Sequence, residues 1–350
     1  MKQFKSSIHL SEQAALLVQE VATKIAKLGG CQAVEAKQLA QETANILLST
    51  HFNEIQKLEI QKFIKQETCV IVFENLYDKN IDGSNIELPS SLPSMQTLET
   101  DLECLKLSAS NQILLATVEQ FAFAYDIDNY GKIMRLVGNF KGGGATKLAN
   151  EDASKADKSS HSGIALGAHT EAPYHSATKV VDSHSPAPSS LVLTARYNPL
   201  SEPTTVIPLQ PILEQLHYME LLALTTNNFD FTRSETFTDG KGTGGSKVAI
   251  VEFNDDGVIG IKYNSYRFTA NTNAPEEVKL ALDKFNSLID NAAAYKINLQ
   301  PSTCMIINNT LALDCRDVIQ DNRRLLIRIF GYKNNIECIK LQDNPALVQG

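Results

Sequence analysis

The stretch LGAHTEAPYH, residues 166–175, sets two imidazoles and a carboxylate within seven positions: His169, Glu171 and His175. Side chains on a β-strand alternate between its two faces, so residues two apart point the same way. Read as such a pair, His169 and Glu171 can offer one imidazole nitrogen and one carboxylate oxygen to a single cation. A third ligand from elsewhere would complete a metal centre that keeps coordination positions open for other molecules. On its own, a His-x-Glu pair more often sits in a solvated loop or at a strand edge, so its meaning rests on the elements around it.

The chain has 350 residues, enough for one large domain or two ordinary ones around a substantial core. Hydrophobic residues make up 43% and charged residues 21%, a globular balance. The net charge of −8 argues against a nucleic-acid partner, which needs clustered Lys and Arg. The six cysteines, Cys31, Cys69, Cys104, Cys304, Cys315 and Cys338, show no CxxC or zinc spacing. Four of them (Cys69, Cys104, Cys304 and Cys338) lie in apolar runs and read as buried reduced thiols. The segment MKQFKSSIHLSEQAA has no apolar signal-like core, and no run approaches the roughly 18 apolar residues of a membrane span. A cytoplasmic soluble protein with no membrane partner is expected.

Along the chain, Leu10, Ala14, Leu17, Val21, Ile25 and Leu28 recur at three- and four-residue steps before Gly29-Gly30, the pattern of a helix with its stop. Helical patterns continue over 32–48 and 54–64. CVIVFENL (69–76) is apolar and β-branched, a buried strand. Residues 97–127 read as one or two further helices with Ile113, Leu114, Val118 and Phe121 inward. Residues 141–163, KGGGATKLANEDASKADKSSHSG, are too polar to bury themselves and predict a mobile loop, placed where a lid would be useful. Short β-type runs follow (SSLVLTARY, TTVIPL, KVAIVEF, VIGIKYNSYRF, TCMIINN, RRLLIRIFGY), interrupted by helical segments after Leu209 and after Pro275. In RRLLIRIFG, Arg324, Leu326 and Arg328 share one face and Leu325, Ile327 and Ile329 the other. The arginine face suits either a barrel interior or solvent. These elements predict a mostly β fold with α: a distorted double-stranded β-helix, or jelly roll, with an N-terminal helical region and inserted helices. They suggest one domain over 1–350: a helical region over 1–68, a mixed region over 69–140, the loop 141–163 and the main jelly roll over 164–340.

HTEAPYH, then SPAPSSLVLTARYNP, TTVIPL and INNTLALDCRD...NRRLLIRIFG, taken in order, resemble the clavaminate-synthase-like branch of the Fe(II)/2-oxoglutarate oxygenases, which includes hydroxylases of free amino acids. That family's pattern is HTE-x-x-F/Y-H, a strand ending in Arg, a Thr, a block DN-x-x-x-x-H-G-R, and R-x-L-x-R. The resemblance implies Fe(II) and 2-oxoglutarate as cofactors, an amino acid or similar small molecule as substrate, and His169 and Glu171 as iron ligands. It implies Arg328, with Thr205 or Thr204, on the far carboxylate of 2-oxoglutarate, and His175 and Arg267 beside the substrate. Arg324 would face the same side as Arg328. This chain has no Asp or Glu between Ile261 and Ala274, where acidic residues of related enzymes recognise a cationic side chain, so arginine is a poor substrate candidate.

The pattern breaks at the family's second histidine. NNTLALDCR (308–316) places Asp314 there and Cys315 at the following glycine, and no histidine follows His217. Three readings stay open: Asp314 replaces the histidine as metal ligand; Cys315 or His175 completes an unusual site; or the fold is catalytically silent and binds a small acid or a protein partner.

Overall fold

The computed structural model describes residues 4–76, 88–148, 159–232, 245–253, 257, 259–341 and 344–350. The N-terminal helices form where periodicity and caps agree. Ser11 accepts the Ala14 N–H to start Glu12–Lys27, and Asn53 with Gln56 closes a reciprocal capping box at Glu54–Ile64. Between them Ala36–Ile46 runs into a π-turn, Leu47–His51. The helix Leu102–Thr117, capped by Asp101, is buried along nearly its whole length, because it packs between the outer helices and a large sheet.

That helix ends sooner than its pattern suggested. Glu119 takes a positive φ and Gln120–Tyr125 is a strand. Phe121, Phe123 and Tyr125 point to the second sheet, and Ala122 and Ala124 to the helices. A strand buried on both faces has no polar positions to mark its period. A strand not foreseen, Lys5–His9, pairs in parallel with Val70–Glu74.

Nine strands build the large sheet, in the order Lys5–His9, Val70–Glu74, Thr303–Asn308, Ser190–Tyr197, Leu325–Lys333, Gln120–Tyr125, Asn344–Val348 and Lys340–Leu341, with Arg135–Gly138 also on Leu325–Lys333. A smaller sheet runs Tyr295–Ile297, Thr204–Pro208, Ala312–Arg316, Leu166–His169. Leu193, Met305 and Phe330 meet Val206, Ile297 and Ala312 between the sheets. Ile207 and Leu313 turn outward, onto a core with Phe229, Tyr263 and Phe285 under the helix Glu276–Asp290. This is the expected jelly-roll architecture, open rather than a closed barrel among the described residues.

Leu325, Ile327 and Ile329 pack on the helical layer, so Arg324, Leu326 and Arg328 face the space between the sheets. The two-sided ambiguity of that strand resolves to an interior lined by arginine. Residues 149–158 of the expected loop lie outside the described residues. Its flanks are tied down: the Gly163 N–H donates to the Gly142 carbonyl (2.7 Å) and the Ile319 N–H to that of Gly163 (2.8 Å). All six cysteines are free; Cys31, Cys69, Cys104 and Cys304 are buried, while Cys315 and Cys338 are half-buried. Among the described residues no helix is long and apolar enough to cross a membrane.

Because Ile327 is fully buried between the central strand and the helical layer, Ile327→Ala should cost about 2–5 kcal/mol of unfolding free energy. Urea denaturation measures this, and a loss below about 1 kcal/mol would mean that the layer is not a fixed core.

Candidate metal centre

The strand Leu166–His169 pairs antiparallel with Ala312–Arg316, setting His169 directly opposite Asp314. The strand ends at His169, and the chain is then held by hydrogen bonds rather than a ladder. The Thr170 N–H donates to the Tyr263 carbonyl (2.9 Å), and the Tyr263 N–H donates to Thr170 Oγ1 (3.1 Å). The Glu171 N–H donates to Asn309 Oδ1 (2.7 Å), while Asn309 Nδ2 donates to the carbonyls of Glu171 (3.1 Å) and Pro188 (2.9 Å). Asn309 thus fixes Glu171 from the same turn that leads into the strand of Asp314.

His169, Glu171 and Asp314 each direct one ligand atom to a common point, all within 4.8 Å of one another. His169 Nδ1 lies 2.8 Å from the Gly167 carbonyl, which can only accept, so Nδ1 carries the hydrogen. In the neutral imidazole the lone pair is then left on Nε2, which lies 3.7 Å from Asp314 Oδ1. Such a backbone partner fixes both tautomer and ring orientation in metal-binding histidines. Burial pushes the Asp314 carboxyl up to about 6, with Glu171 adding to the rise and His169 and Arg328 opposing it. Burial would lower His169, but Asp314 and Glu171 hold it above its usual value.

Around this cluster the charges interlock. Arg328 Nη1 donates to both Glu171 oxygens (3.2 Å each) and Nη2 to Asp128 Oδ2 (3.3 Å). Arg135 pairs with the other oxygen of Asp128, and its Nε donates to Ser160 Oγ (3.1 Å). Burial would raise Asp128, but the two arginines keep it below the usual carboxylate range. Arg324, 1% exposed, donates from Nη2 to Thr204 Oγ1 (3.3 Å), and its Nε and Nη1 have no hydrogen-bond partner among the described residues. These groups line one cavity of about 150 Å³, a volume that suits a small organic molecule. Its described wall holds five arginines and three carboxylates, so an acidic chain encloses a cationic pocket.

No family model matches the chain, and no curated protein sequence matches it. Solved structures do. An asparagine oxygenase in complex with Fe(II), a hydroxyasparagine and succinate superposes with a TM-score of 0.71, covering 98% of this chain and 99% of that one at 15% identity. The non-haem iron oxygenase OrfP in complex with Fe matches at 0.67, over 94% of each chain and 16% identity. OrfP with Fe and alpha-ketoglutaric acid also gives 0.67, over 93% of each chain and 15% identity. The chain has the fold of these oxygenases.

Within this oxygenase fold the residues singled out by sequence divide. His169, Glu171 and Asp314 come together; Glu171 sits just past the strand rather than on it. Thr205 does not face the cavity. Strand alternation sends Thr204 and Val206 inward and Thr205 outward, beside Cys315. Arg328 lies on Glu171 and Asp128, and Arg324 is the arginine at Thr204. Arg267 is half-buried in the cavity wall. His175 lies outside that wall and stacks on Tyr125, with ring centroids 5.0 Å apart. Neither Cys315 nor His175 belongs to the ligand cluster. Burial pushes the Cys315 thiol up to about 12. Sequence reading missed Asp128 and Arg135, which carry no local motif, and Asn309, whose pairing with Glu171 depends on a turn far along the chain.

A cation entering this cluster must displace the proton that Asp314 holds below about pH 6. The carboxyl's raised pKa means the competing proton is present at low pH and gone as pH rises through 6. His169, held above its usual value, must lose a proton as well, so Mn²⁺ affinity, followed by calorimetry, should climb well over tenfold (up to about 100-fold) per pH unit between 5 and 6 and keep climbing above 6 until the imidazole is neutral. A slope of only about tenfold per unit between 5 and 6 would show that Asp314 does not receive the cation, and a flat profile that neither residue does.

Proposed function

We propose that this protein is an Fe(II)- and 2-oxoglutarate-dependent oxygenase that hydroxylates a free or carrier-bound amino acid. One observation carries the reading: the three ligand atoms of His169, Glu171 and Asp314 share a small cavity with the buried, incompletely partnered guanidinium of Arg324. One imidazole nitrogen and two carboxylate oxygens suit a divalent ion that accepts mixed N and O donors, Fe(II) among them. When bound, the ion and its 2-oxo acid supply the dioxygen activation that attack on an unactivated C–H bond requires.

The chain's own residues do the rest. Arg324 and Thr204, rather than Arg328 and Thr205, would take the distal carboxylate of 2-oxoglutarate. A guanidinium forks onto a carboxylate with two parallel hydrogen bonds, and Nε and Nη1 of Arg324 have none of their own. Arg328 and Asp128 set a cation and a carboxylate side by side, complementary to the carboxylate and ammonium of an amino acid. Leu191, Leu193 and Leu326 line the cavity between these groups and exclude water from them. Arg267 stands on the wall with no acid between Ile261 and Ala274, which disfavours a cationic substrate side chain. Six free cysteines fit a reducing cytoplasm. The silent-fold reading gives no reason to bury a cation short of partners beside a converged ligand triad.

Anaerobic titration with Fe(II) and 2-oxoglutarate tests the reading. A visible charge-transfer absorption should saturate at one equivalent of iron and disappear in Asp314→Ala. Arg324→Met should weaken 2-oxoglutarate about 10- to 100-fold, the range of a hydrogen-bonded charge pair. Absence of both absorption and retained metal in the wild type would leave a silent fold as the better account.

A further inference from the structure

The strand Ala312–Arg316 turns Ala312, Asp314 and Arg316 toward the space between the sheets, and Leu313 away from it. Its partner strand sets Cys315 opposite Thr205, so one further step of the antiparallel register brings Arg316 beside Thr204. Arg324 reaches the same threonine from the large sheet. Thr204, Arg316 and Arg324 therefore converge on one end of the cavity.

Both guanidiniums there are buried and short of partners. Arg316 is 8% exposed and uses only Nη2, which donates to the carbonyl of Ser162 and, at 3.4 Å each, to those of Ser159 and Ile164. Its Nε and Nη1, like those of Arg324, have no hydrogen-bond partner among the described residues. The acid beside them, Glu202, lies 3.9 Å from Arg324 Nε and spends Oε1 on the N–H groups of Gln320 (3.0 Å) and Asp321 (2.8 Å). Burial lowers Arg316 to about 9, with the charge of Arg324 adding to the fall, and lowers Arg324 to about 10. Two adjacent buried cations with four unused N–H-bearing nitrogens between them leave free energy for an anion to recover.

We propose, on the reading that this cavity takes 2-oxoglutarate, that Arg316 is a second anchor for its distal carboxylate. Arg324 and Thr204 hold that group from one side and Arg316 from the other. The three backbone carbonyls at Nη2 fix the direction of the Arg316 fork, so the anchor is set before the ligand arrives. The second cation also answers a need specific to this chain. Asp314 stands where the resembling family carries a neutral histidine, and it adds a negative charge facing an anionic co-substrate. Arg316, two residues along on the same strand face, offsets it.

The test is calorimetric binding of two chelators to the Mn²⁺-loaded protein: 2-oxoglutarate, and oxalate, which lacks an arm to reach the recess. Wild type is compared with Arg316→Met, Arg316→Lys and Arg324→Met. Arg316→Met should weaken 2-oxoglutarate about tenfold or more and leave oxalate within about twofold. Arg316→Lys, which keeps the charge but loses the fork, should show a smaller loss in the same selective pattern, and it decides the matter if the Met variant does not fold. Equal losses for both chelators would assign Arg316 to the framework and overturn the anchor. So would a preference for 2-oxoglutarate that survives both Arg316 variants yet collapses in Arg324→Met. A wild type with no preference for 2-oxoglutarate over oxalate would overturn the co-substrate reading itself, and the anchor with it.

Discussion

Charge buried between two sheets must be matched almost group by group, and this requirement organises the molecule. Each ion taken out of water costs several kcal/mol unless a partner and hydrogen bonds replace what it loses. Arg135 and Arg328 face each other across adjacent strands, a pairing of like charges that would be destabilising by itself. Asp128, from the turn after Gln120–Tyr125, enters between them and accepts from both. Arg328 then reaches on to Glu171, so the ligand triad, the central strand and the Asp128 turn form one continuous network. At the other end of the cavity the matching stops, at Arg316 and Arg324, and there a ligand can complete it.

The same strand that carries these arginines anchors the helical layer. Its apolar face, Leu325, Ile327 and Ile329, is fully buried in the core under the helix Leu102–Thr117, which prevents the strand from rotating to relieve the charges on its other face. Functional groups placed on strands locked by such packing are held more precisely than groups on loops. Glu171, the one candidate ligand beyond a strand end, is the one whose backbone is clamped on both sides by Asn309.

Much of this is legible in the sequence because it rests on local periodicity. Period-two alternation identifies the arginine face of RRLLIRIFG, and the three- and four-residue spacing marks the helices at 12–27 and 54–64. Where both faces of a strand are buried the signal vanishes, and Gln120–Tyr125 passes for the end of a helix. His169 and Glu171 are readable as a candidate pair from their two-residue spacing, and Asp314 joins them only through the resemblance to the family's block. The choice between Thr204 and Thr205 is not readable, since adjacent threonines differ only in which face the register gives them. The assignment of Arg324 against Arg328 needs the third dimension, because both lie on one face and only the neighbours tell them apart. Asp128 and Arg135 are invisible for the same reason.

Against the pattern of the family that the sequence resembles, an aspartate at position 314 changes both reach and charge, and the structure answers each change. The aspartate side chain is the shorter, so the third ligand must start closer to the others; direct cross-strand opposition to His169 supplies that closeness. On the proposed function, the added negative charge would weaken attraction for a dianionic co-substrate were the walls neutral. Instead five arginines stand against three carboxylates around the cavity, and among the described residues three of the five have unused donors: two nitrogens each on Arg316 and Arg324, and Nε of Arg328. A cation bound by one imidazole and two carboxylates has its own charge nearly neutralised by the protein, which shifts the work of holding an anion from the metal to the guanidiniums. On the proposed function, the arginines would set co-substrate affinity and the triad its position.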